Sequence, residues 1–141
     1  MTVEIRHLQP GDEAVLARVA EEVFDHPIDA ATLARYLASP GHLLVVAVDH
    51  GLVVGQVAAM VHRHPDGRPT ELYVDEVAVT PARQRQGIAR RMLDTMLALG
   101  RDQGCLEMWV GTEPDNVAAR ALYKSLKADD EIFVMYVRKS A

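Results

Sequence analysis

The sequence predicts an α/β fold with a mixed, mostly antiparallel central sheet of six to seven strands and with helices on both faces. Short turns separate successive apolar runs between residues 43 and 79, which is typical of an antiparallel meander. An amphipathic segment at residues 88–97 then precedes another apolar run, and a helical crossover of this kind makes the flanking strands parallel. The length of 141 residues is suited to a single domain, residues 1–141.

The N-terminal part is predicted to contain one strand and two helices. Residues 3–8 alternate between apolar and polar types, which indicates a half-buried strand. Asp12 is suited to cap a helix that extends to Phe24, because a carboxylate can accept from the free N–H groups of a first turn. Asp29 is suited in the same way to a second, shorter helix that ends before Pro40.

The remaining elements follow from apolar runs and turn residues. Residues 43–48 and 52–61 are predicted to form a hairpin around Asp49-His50-Gly51, and residues 72–79 to form the next strand. The later predicted elements, in order, are a helix from residue 88, a strand at 106–110, a helix at 116–126 and a closing strand at 131–137.

A basic loop, Gln84-Arg85-Gln86-Gly87-Ile88-Ala89, joins the predicted strand at 72–79 to the helix that follows. The start of a helix presents unpaired N–H groups and the positive end of a dipole, which together favour a phosphate. Gly87 permits close approach of a ligand to the backbone, and the small Ala89 leaves space. With one glycine and no Gly-Lys-Ser/Thr sequence, the loop is neither a Walker loop nor a dinucleotide fingerprint.

This loop resembles the acyl-CoA pyrophosphate loop of the GNAT superfamily of N-acetyltransferases, Arg/Gln-x-x-Gly-x-Gly/Ala, with Gln84, Gly87 and Ala89 at the patterned positions. The resemblance covers nearly the whole chain. It implies the GNAT fold, acetyl-CoA as acetyl donor and no metal. The residues that it implies for CoA binding are Val77, Ala78, Val79, Gln84, Arg85, Gln86, Gly87, Ile88, Ala89, Arg90, Asn116 and Tyr123.

The segment from Asn116 to Leu126 resembles the GNAT pattern Asn-x-x-Ala-x-x-Leu-Tyr-x-x-Leu-Gly. The resemblance implies that Tyr123 is the general acid that protonates the departing thiolate, and that Asn116 contacts the pantetheine arm. The pKa values of a phenol and a thiol are close enough for this transfer, at about 10 and about 8.5. Lys127 stands where the family has glycine, so the turn after this helix is expected to differ.

Carboxylates near the loop are the candidates for the base and for binding a cationic acceptor. Glu76 is the candidate base, although an exposed strand carboxylate with water as the proton acceptor is the alternative. Adjacent strand residues point to opposite faces, so either Asp75 or Glu76 should face the acceptor unless a bulge intervenes. Asp75, Glu76, Glu113 and Asp115 are the candidate substrate-binding residues, with helix capping by Asp115 or Asn116 as the alternative.

Residues 71–79 together with Arg85-Gln86-Gly87-Ile88-Ala89 resemble the aminoglycoside 3-N-acetyltransferases of this superfamily. The resemblance implies acetyl transfer to a primary amine of an aminoglycoside, and hence a role in antibiotic resistance. Two alternatives remain open. One is an acetyltransferase that acts on a polyamine, an amino acid or a protein N-terminus, and the other is a non-catalytic acyl-CoA-binding module.

Bulk properties narrow the expected partners. A net charge of −5 disfavours nucleic acid and is compatible with a cationic small molecule, and no apolar run approaches a membrane span. The lone Cys105 fits a reducing cytoplasm and is expected to be a small buried side chain. His62 and His64 are expected to be surface histidines rather than metal ligands. The family resemblance implies a homodimer.

Overall fold

The computed structural model describes residues 2–140 and divides into two compact units, the first ending at Gly111 and the second starting at Thr112. The first unit contains a five-stranded sheet in the order β1-β2-β3-β4-β5. The strands are β1 (Glu4–His7), β2 (His42–Asp49), β3 (Leu52–His62), β4 (Glu71–Val79) and β5 (Glu107–Val110). The α-helices of the described residues are α1 (Ala30–Ala38), α2 (Ile88–Asp102) and, in the second unit, α3 (Val117–Ser125). The prediction of one domain over the whole chain stays a prediction.

Strand pairing follows the predicted meander. β1, β2, β3 and β4 pair antiparallel in succession, and β5 pairs parallel to β4 after the α2 crossover. The β2–β3 turn is compact because His50 and Gly51 both adopt positive φ angles, 49° and 80°, as a tight hairpin turn requires. Asp29 caps α1 as predicted, since its carboxylate accepts from the Thr32 N–H at 2.9 Å.

Each face of the sheet packs against different helical segments. A Cβ built on Gly55 of β3 would lie 2.9 Å from Met92 Cε of α2 and 3.0 Å from the Ala78 carbonyl oxygen, so a larger residue would force neighbouring atoms to shift. Gln56 follows Gly55 and therefore points to the opposite face. On that face a buried apolar cluster joins α1 to the sheet, including Leu33, Leu37, Leu44, Val46 and Ala58.

The predicted helix from Asp12 to Phe24 is wrong. Only a short 3₁₀ helix, Glu13–Ala17, forms there, and Val19 then makes an isolated parallel bridge to Val53 of β3. The Val53 N–H donates to the Arg18 carbonyl and the Val53 carbonyl accepts from Ala20, both at 2.9 Å. These valines favour extended backbone, so pairing with the sheet outweighs a weak helix propensity.

The turn after α3 keeps the geometry that a glycine would give, contrary to the prediction that it differs. Lys127 adopts φ 62°, its N–H donates to the Lys124 carbonyl, and Ala128 N–H donates to the Tyr123 carbonyl. This is the Schellman hydrogen-bond pattern. A left-handed conformation costs a residue with a Cβ roughly 1–2 kcal/mol, and this turn accepts that cost.

The predicted closing strand at 131–137 is wrong, and with it the predicted count of six to seven strands. Within residues 2–140 the sheet has five strands, and residues 131–137 belong to no strand. Their apolar side chains are exposed: Ile132, Phe133, Val134, Met135, Tyr136 and Val137. β-branched and aromatic residues are favoured in strands because they fit a half-buried pleated surface. A strand also requires a partner strand, and the composition of the segment does not supply one.

Candidate active site

A β-bulge in β4 sets the direction of the candidate base. Across the β3–β4 ladder Ala58 lies opposite Glu76, whereas Ala59 lies opposite Val74, so Asp75 is an extra residue on β4. Without the bulge, strict alternation would place Glu76 on the same face as Val74. With it, Glu76 shares the face of its cross-strand neighbour Ala58, which is the face that packs against α1.

The two adjacent carboxylates therefore differ in environment. Asp75 is exposed at the bulge, whereas Glu76 is half-buried. Glu76 Oε2 accepts a hydrogen bond of 3.1 Å from Nε2 of Gln56, a β3 side chain that is 1% exposed. The same Nε2 donates to the Val23 carbonyl at 3.2 Å, in the segment that precedes α1. These hydrogen bonds fix the direction of the Glu76 carboxylate, and its role as base stays a prediction.

An open groove lies on the same side of the sheet as Glu76, between the first 3₁₀ helix and α1. Its volume is about 440 Å³, and Leu16 and Leu33 in its wall belong to the buried cluster that contains Ala58. Glu13 is the acidic residue of its lining. None of the candidate catalytic or binding residues lines this groove.

The loop before α2 has the geometry of an anion site. Arg85 and Gly87 have φ angles of 62° and 77°, and no side chain caps the N-terminus of α2, which begins at Ile88. A Cβ built on Gly87 would meet no atom within 4 Å, so the space above this backbone is open. An uncapped helix start beside an open glycine fits the diphosphate of acetyl-CoA. Ala89 and the exposed Arg85 and Arg90 complete the loop.

Side chains around the loop fix its backbone. Gln84 Nε2 donates to the Val79 carbonyl at 3.0 Å, which returns the loop to the end of β4. Arg83 Nη1 pairs with Asp49 at 2.6 Å, and Arg83 Nε donates to Gln86 Oε1 at 3.1 Å. The hydrogen bond from Thr2 and the pairing with Arg83 lower the pKa of Asp49. Sequence reasoning missed Arg83, and no local signal marks a cation whose partner lies in the β2 strand.

The second sheet partner of β4 stops short of the loop. β5 pairs with β4 only from Glu71 to Val74, so Val77, Ala78 and Val79 face no β5 partner on that side. Those backbone groups pair with β3 on the other side. The gap is the position where the resemblance implies that β4 pairs with a pantetheine arm, and that role stays a prediction.

The other candidate residues belong to the second unit. Asn116 caps α3, since its side-chain oxygen accepts from the Ala119 N–H at 3.0 Å, so the capping alternative holds for Asn116. Tyr123 is half-buried on α3, and burial raises its pKa. Glu113 and Asp115 are exposed in the preceding segment. The roles of these residues in binding and catalysis stay predictions.

Three further expectations concern cysteine, histidine and membranes. Cys105 is 6% exposed, as predicted, and burial raises the pKa of its thiol. His64 is not a surface residue, because its side chain is 7% exposed and hydrogen-bonded to Glu71.

Among the described residues, no group of three or more His, Cys, Asp and Glu side chains is arranged to hold a metal ion. Across residues 2–140, no helix has the length and apolar character needed to cross a membrane.

Sequence comparison identifies related enzymes. The N-alpha-acetyltransferase RimI of Mycobacterium tuberculosis is 36% identical over 126 residues, which cover 88% of this chain and 77% of that protein. N-acetyltransferase 8 of Homo sapiens is 33% identical over 106 residues, which cover 73% of this chain and 47% of that protein. The chain thus spans about half the length of the human relative.

Solved structures share the fold. An aminoglycoside acetyltransferase from an uncultured soil metagenomic sample superposes with a TM-score of 0.85 and 25% identity, over 99% of this chain and 100% of that one. The aminoglycoside N-acetyltransferase AAC(6')-Iy in complex with CoA superposes with a TM-score of 0.80 and 21% identity, over 99% of this chain and 95% of that one. At 21% identity, the second likeness concerns the fold alone.

A family model supplies the last comparison. The model of the acetyltransferase (GNAT) family matches residues 9–127, which include the bulged strand, the loop and α3. The chain therefore belongs to the acetyltransferase (GNAT) family, a family of acetyl-CoA-dependent N-acetyltransferases.

Proposed function

We propose that this protein transfers the acetyl group of acetyl-CoA to a primary amine, with an aminoglycoside as the leading acceptor. The observation that carries the proposal is the bulge at Asp75, which turns the Glu76 carboxylate toward the α1 face of the sheet. The uncapped start of α2 at Gly87 supports binding of the donor's diphosphate.

The chemistry divides among three parts of the chain. Acetyl-CoA supplies the thioester that the amine attacks. Glu76 accepts the proton that the amine loses, directly or through water, so that a neutral nitrogen is available for attack. Tyr123 gives its phenolic proton to the departing thiolate, and burial favours this protonated phenol at neutral pH. Backbone groups of Val77 and Val79 orient the arm that carries the thioester.

The aminoglycoside proposal is based on the net charge of the protein and on its similarity to a solved aminoglycoside acetyltransferase. A polyamine sugar is a cation, and the protein carries a net charge of −5 with Asp75 exposed beside Glu76. One superposed structure, 25% identical, is an aminoglycoside acetyltransferase. Sequence resemblance favours the 3-amine, whereas one superposed relative is named for the 6' position, so product analysis must decide which amine is modified.

A second candidate acceptor is the α-amine of a peptide or protein. RimI of Mycobacterium tuberculosis, an N-alpha-acetyltransferase, supports it, because it is 36% identical over 88% of this chain.

A thiol-release assay over a panel of amines tests the proposal. The panel contains gentamicin-like aminoglycosides, polyamines, free amino acids and short peptides with free N-termini. We expect turnover with aminoglycosides, and NMR of the product then identifies the acetylated nitrogen. Turnover with peptides alone would select the second candidate. If no amine gives thiol release but CoA binds tightly, the non-catalytic acyl-CoA-binding alternative is favoured.

We also propose that the protein acts in the cytoplasm as a homodimer. The single, buried cysteine supports a reducing compartment. Six consecutive apolar side chains at residues 132–137, each at least 66% exposed, support association with a second copy. Soluble monomers rarely expose a contiguous apolar patch of more than roughly a few hundred Å². If aminoglycosides are acceptors, expression in a susceptible bacterium should raise the inhibitory concentration of the drug.

A further inference from the structure

Gln56 is a buried amide in an otherwise apolar stretch of β3. It is 1% exposed, and its Oε1 has no hydrogen-bond partner within residues 2–140. Buried polar atoms are nearly always paired, and an unpaired one lowers stability. A leucine or methionine of similar size would remove the unpaired oxygen. What an apolar side chain could not supply is the pair of hydrogen bonds that Nε2 donates.

The two contacts of Gln56 Nε2 fix the orientation of the amide. It donates to the Val23 carbonyl at 3.2 Å and to Glu76 Oε2 at 3.1 Å. Both partners are acceptors when Glu76 is ionised, so a reversed amide would place Oε1 against two oxygens. Gln56 can consequently only donate to Glu76. This one donated hydrogen bond fixes the direction of the Glu76 carboxylate.

We propose that Gln56 is a positioning residue that holds the Glu76 carboxylate in one orientation on the α1 face of the sheet. This inference rests on the proposed role of Glu76 as base. The Val23 carbonyl contributes to this positioning, because its hydrogen bond with Nε2 prevents the Gln56 amide from rotating. The unpaired Oε1 is the consequence of that fixed orientation.

The first test replaces the amide with an apolar side chain. Gln56→Leu removes the unpaired oxygen but also the donor to the Val23 carbonyl, so we expect a similar or modestly lower Tm and unchanged CoA affinity by calorimetry. The kcat should fall roughly 10- to 100-fold, the range expected for one hydrogen bond to a charged group. The control is Gln103→Leu, the same substitution at an exposed position after α2, which should leave kcat unchanged. An unchanged kcat in Gln56→Leu would overturn the proposal.

A double-mutant cycle separates positioning from a general structural role. If Gln56 acts through Glu76, then adding Gln56→Leu to Glu76→Gln should cause no further loss of kcat. Two losses that multiply would overturn the proposal, because they would show that Gln56 acts elsewhere.

A third measurement is spectroscopic and requires no variant of Gln56. In the ¹⁵N spectrum of the intact protein, the Gln56 Nε2 protons should exchange slowly with solvent and should shift in Glu76→Ala. Asp94→Ala, an exposed carboxylate of α2, is the control that should leave them unchanged. Unshifted Nε2 protons in Glu76→Ala would overturn the role of Gln56 alone. Full turnover by Glu76→Gln would instead overturn the base assignment, and the positioning role with it.

Discussion

At the scale of single residues, Tyr36 links helix α1 to strands β2 and β3. Its hydroxyl oxygen lies 2.7 Å from the Leu43 carbonyl oxygen and 3.2 Å from that of Ala59, so its single proton is shared between the two acceptors. Burial raises the pKa of Tyr36 to about 12, while the hydrogen bond to Ala59 acts in the opposite direction and the charges of Asp75 and Glu76 raise it further. The proton of Tyr36 is therefore held more tightly in the folded chain than in the unfolded one.

This raised pKa predicts a loss of stability in alkali. The contribution of the Tyr36 proton is fully present below the unfolded pKa of about 10 and is lost as the pH rises toward about 12. Urea unfolding across this range should show a falling free energy of unfolding. Tyr36→Phe should lose roughly 1 kcal/mol at neutral pH and show a shallower alkaline decline. Equal declines in the two proteins would contradict this account.

Tyr123 is the residue whose replacement tests proton donation to the thiolate. Tyr123→Phe keeps the ring and removes the proton, so we expect turnover to fall at least roughly 100-fold while CoA affinity is retained. Steady-state kinetics and calorimetry measure the two quantities. Tyr73→Phe is the matched control, because Tyr73 contacts Trp109 through its ring, which the change keeps. Full activity in Tyr123→Phe would remove the general-acid role.

At the scale of elements, the site depends on two local departures from regular structure. The bulge at Asp75 reverses the face of Glu76, and the left-handed Gly87 starts α2 without a side-chain cap. A cap would pair the same N–H groups that an anion needs. The proposed base and the proposed anion site therefore both depend on these irregularities.

Gly87→Glu should abolish CoA binding, because it places a carboxylate and extra bulk at the anion site. The positive φ of 77° also strains any side chain there, so the effect of charge needs a matched control. Gly104→Glu provides it, since Gly104 has φ 86° and equally open surroundings at the other end of α2. Calorimetry should show no CoA binding for Gly87→Glu and normal binding for Gly104→Glu. Equal affinities would contradict this assignment of the loop.

At the scale of the whole molecule, the exposed apolar side chains of residues 132–137 indicate a surface that another chain covers. Residues 132–137 present six consecutive apolar side chains to solvent. Contiguous exposed apolar patches associate readily with other chains. A second copy is the occupant that we propose.

Sedimentation velocity tests this association. The protein should sediment as a dimer at micromolar concentration, and Phe133→Asp combined with Tyr136→Asp should shift it toward monomer by placing charge on the apolar patch. Val117→Asp is the matched control, because Val117 is 78% exposed outside the patch. A monomer in the unchanged protein would refute the homodimer.

The sequence by itself determined most elements and the position of the loop. Turn residues and apolar runs are local signals, so the hairpin at His50-Gly51, the crossover helix α2 and the cap at Asp29 were all predictable. Gln56 could have been noticed as a polar residue within an apolar strand, although its partner could not.

Tertiary structure alone decided the direction of Glu76, the failure of the helix at 12–24 and the absence of a strand at 131–137 among the described residues. Each of these depends on a partner distant in sequence: the β3 register opposite the bulge, the backbone of Val53, and a strand edge. Local pattern gives the face and length of an element, whereas pairing between distant segments determines which face a side chain finally occupies.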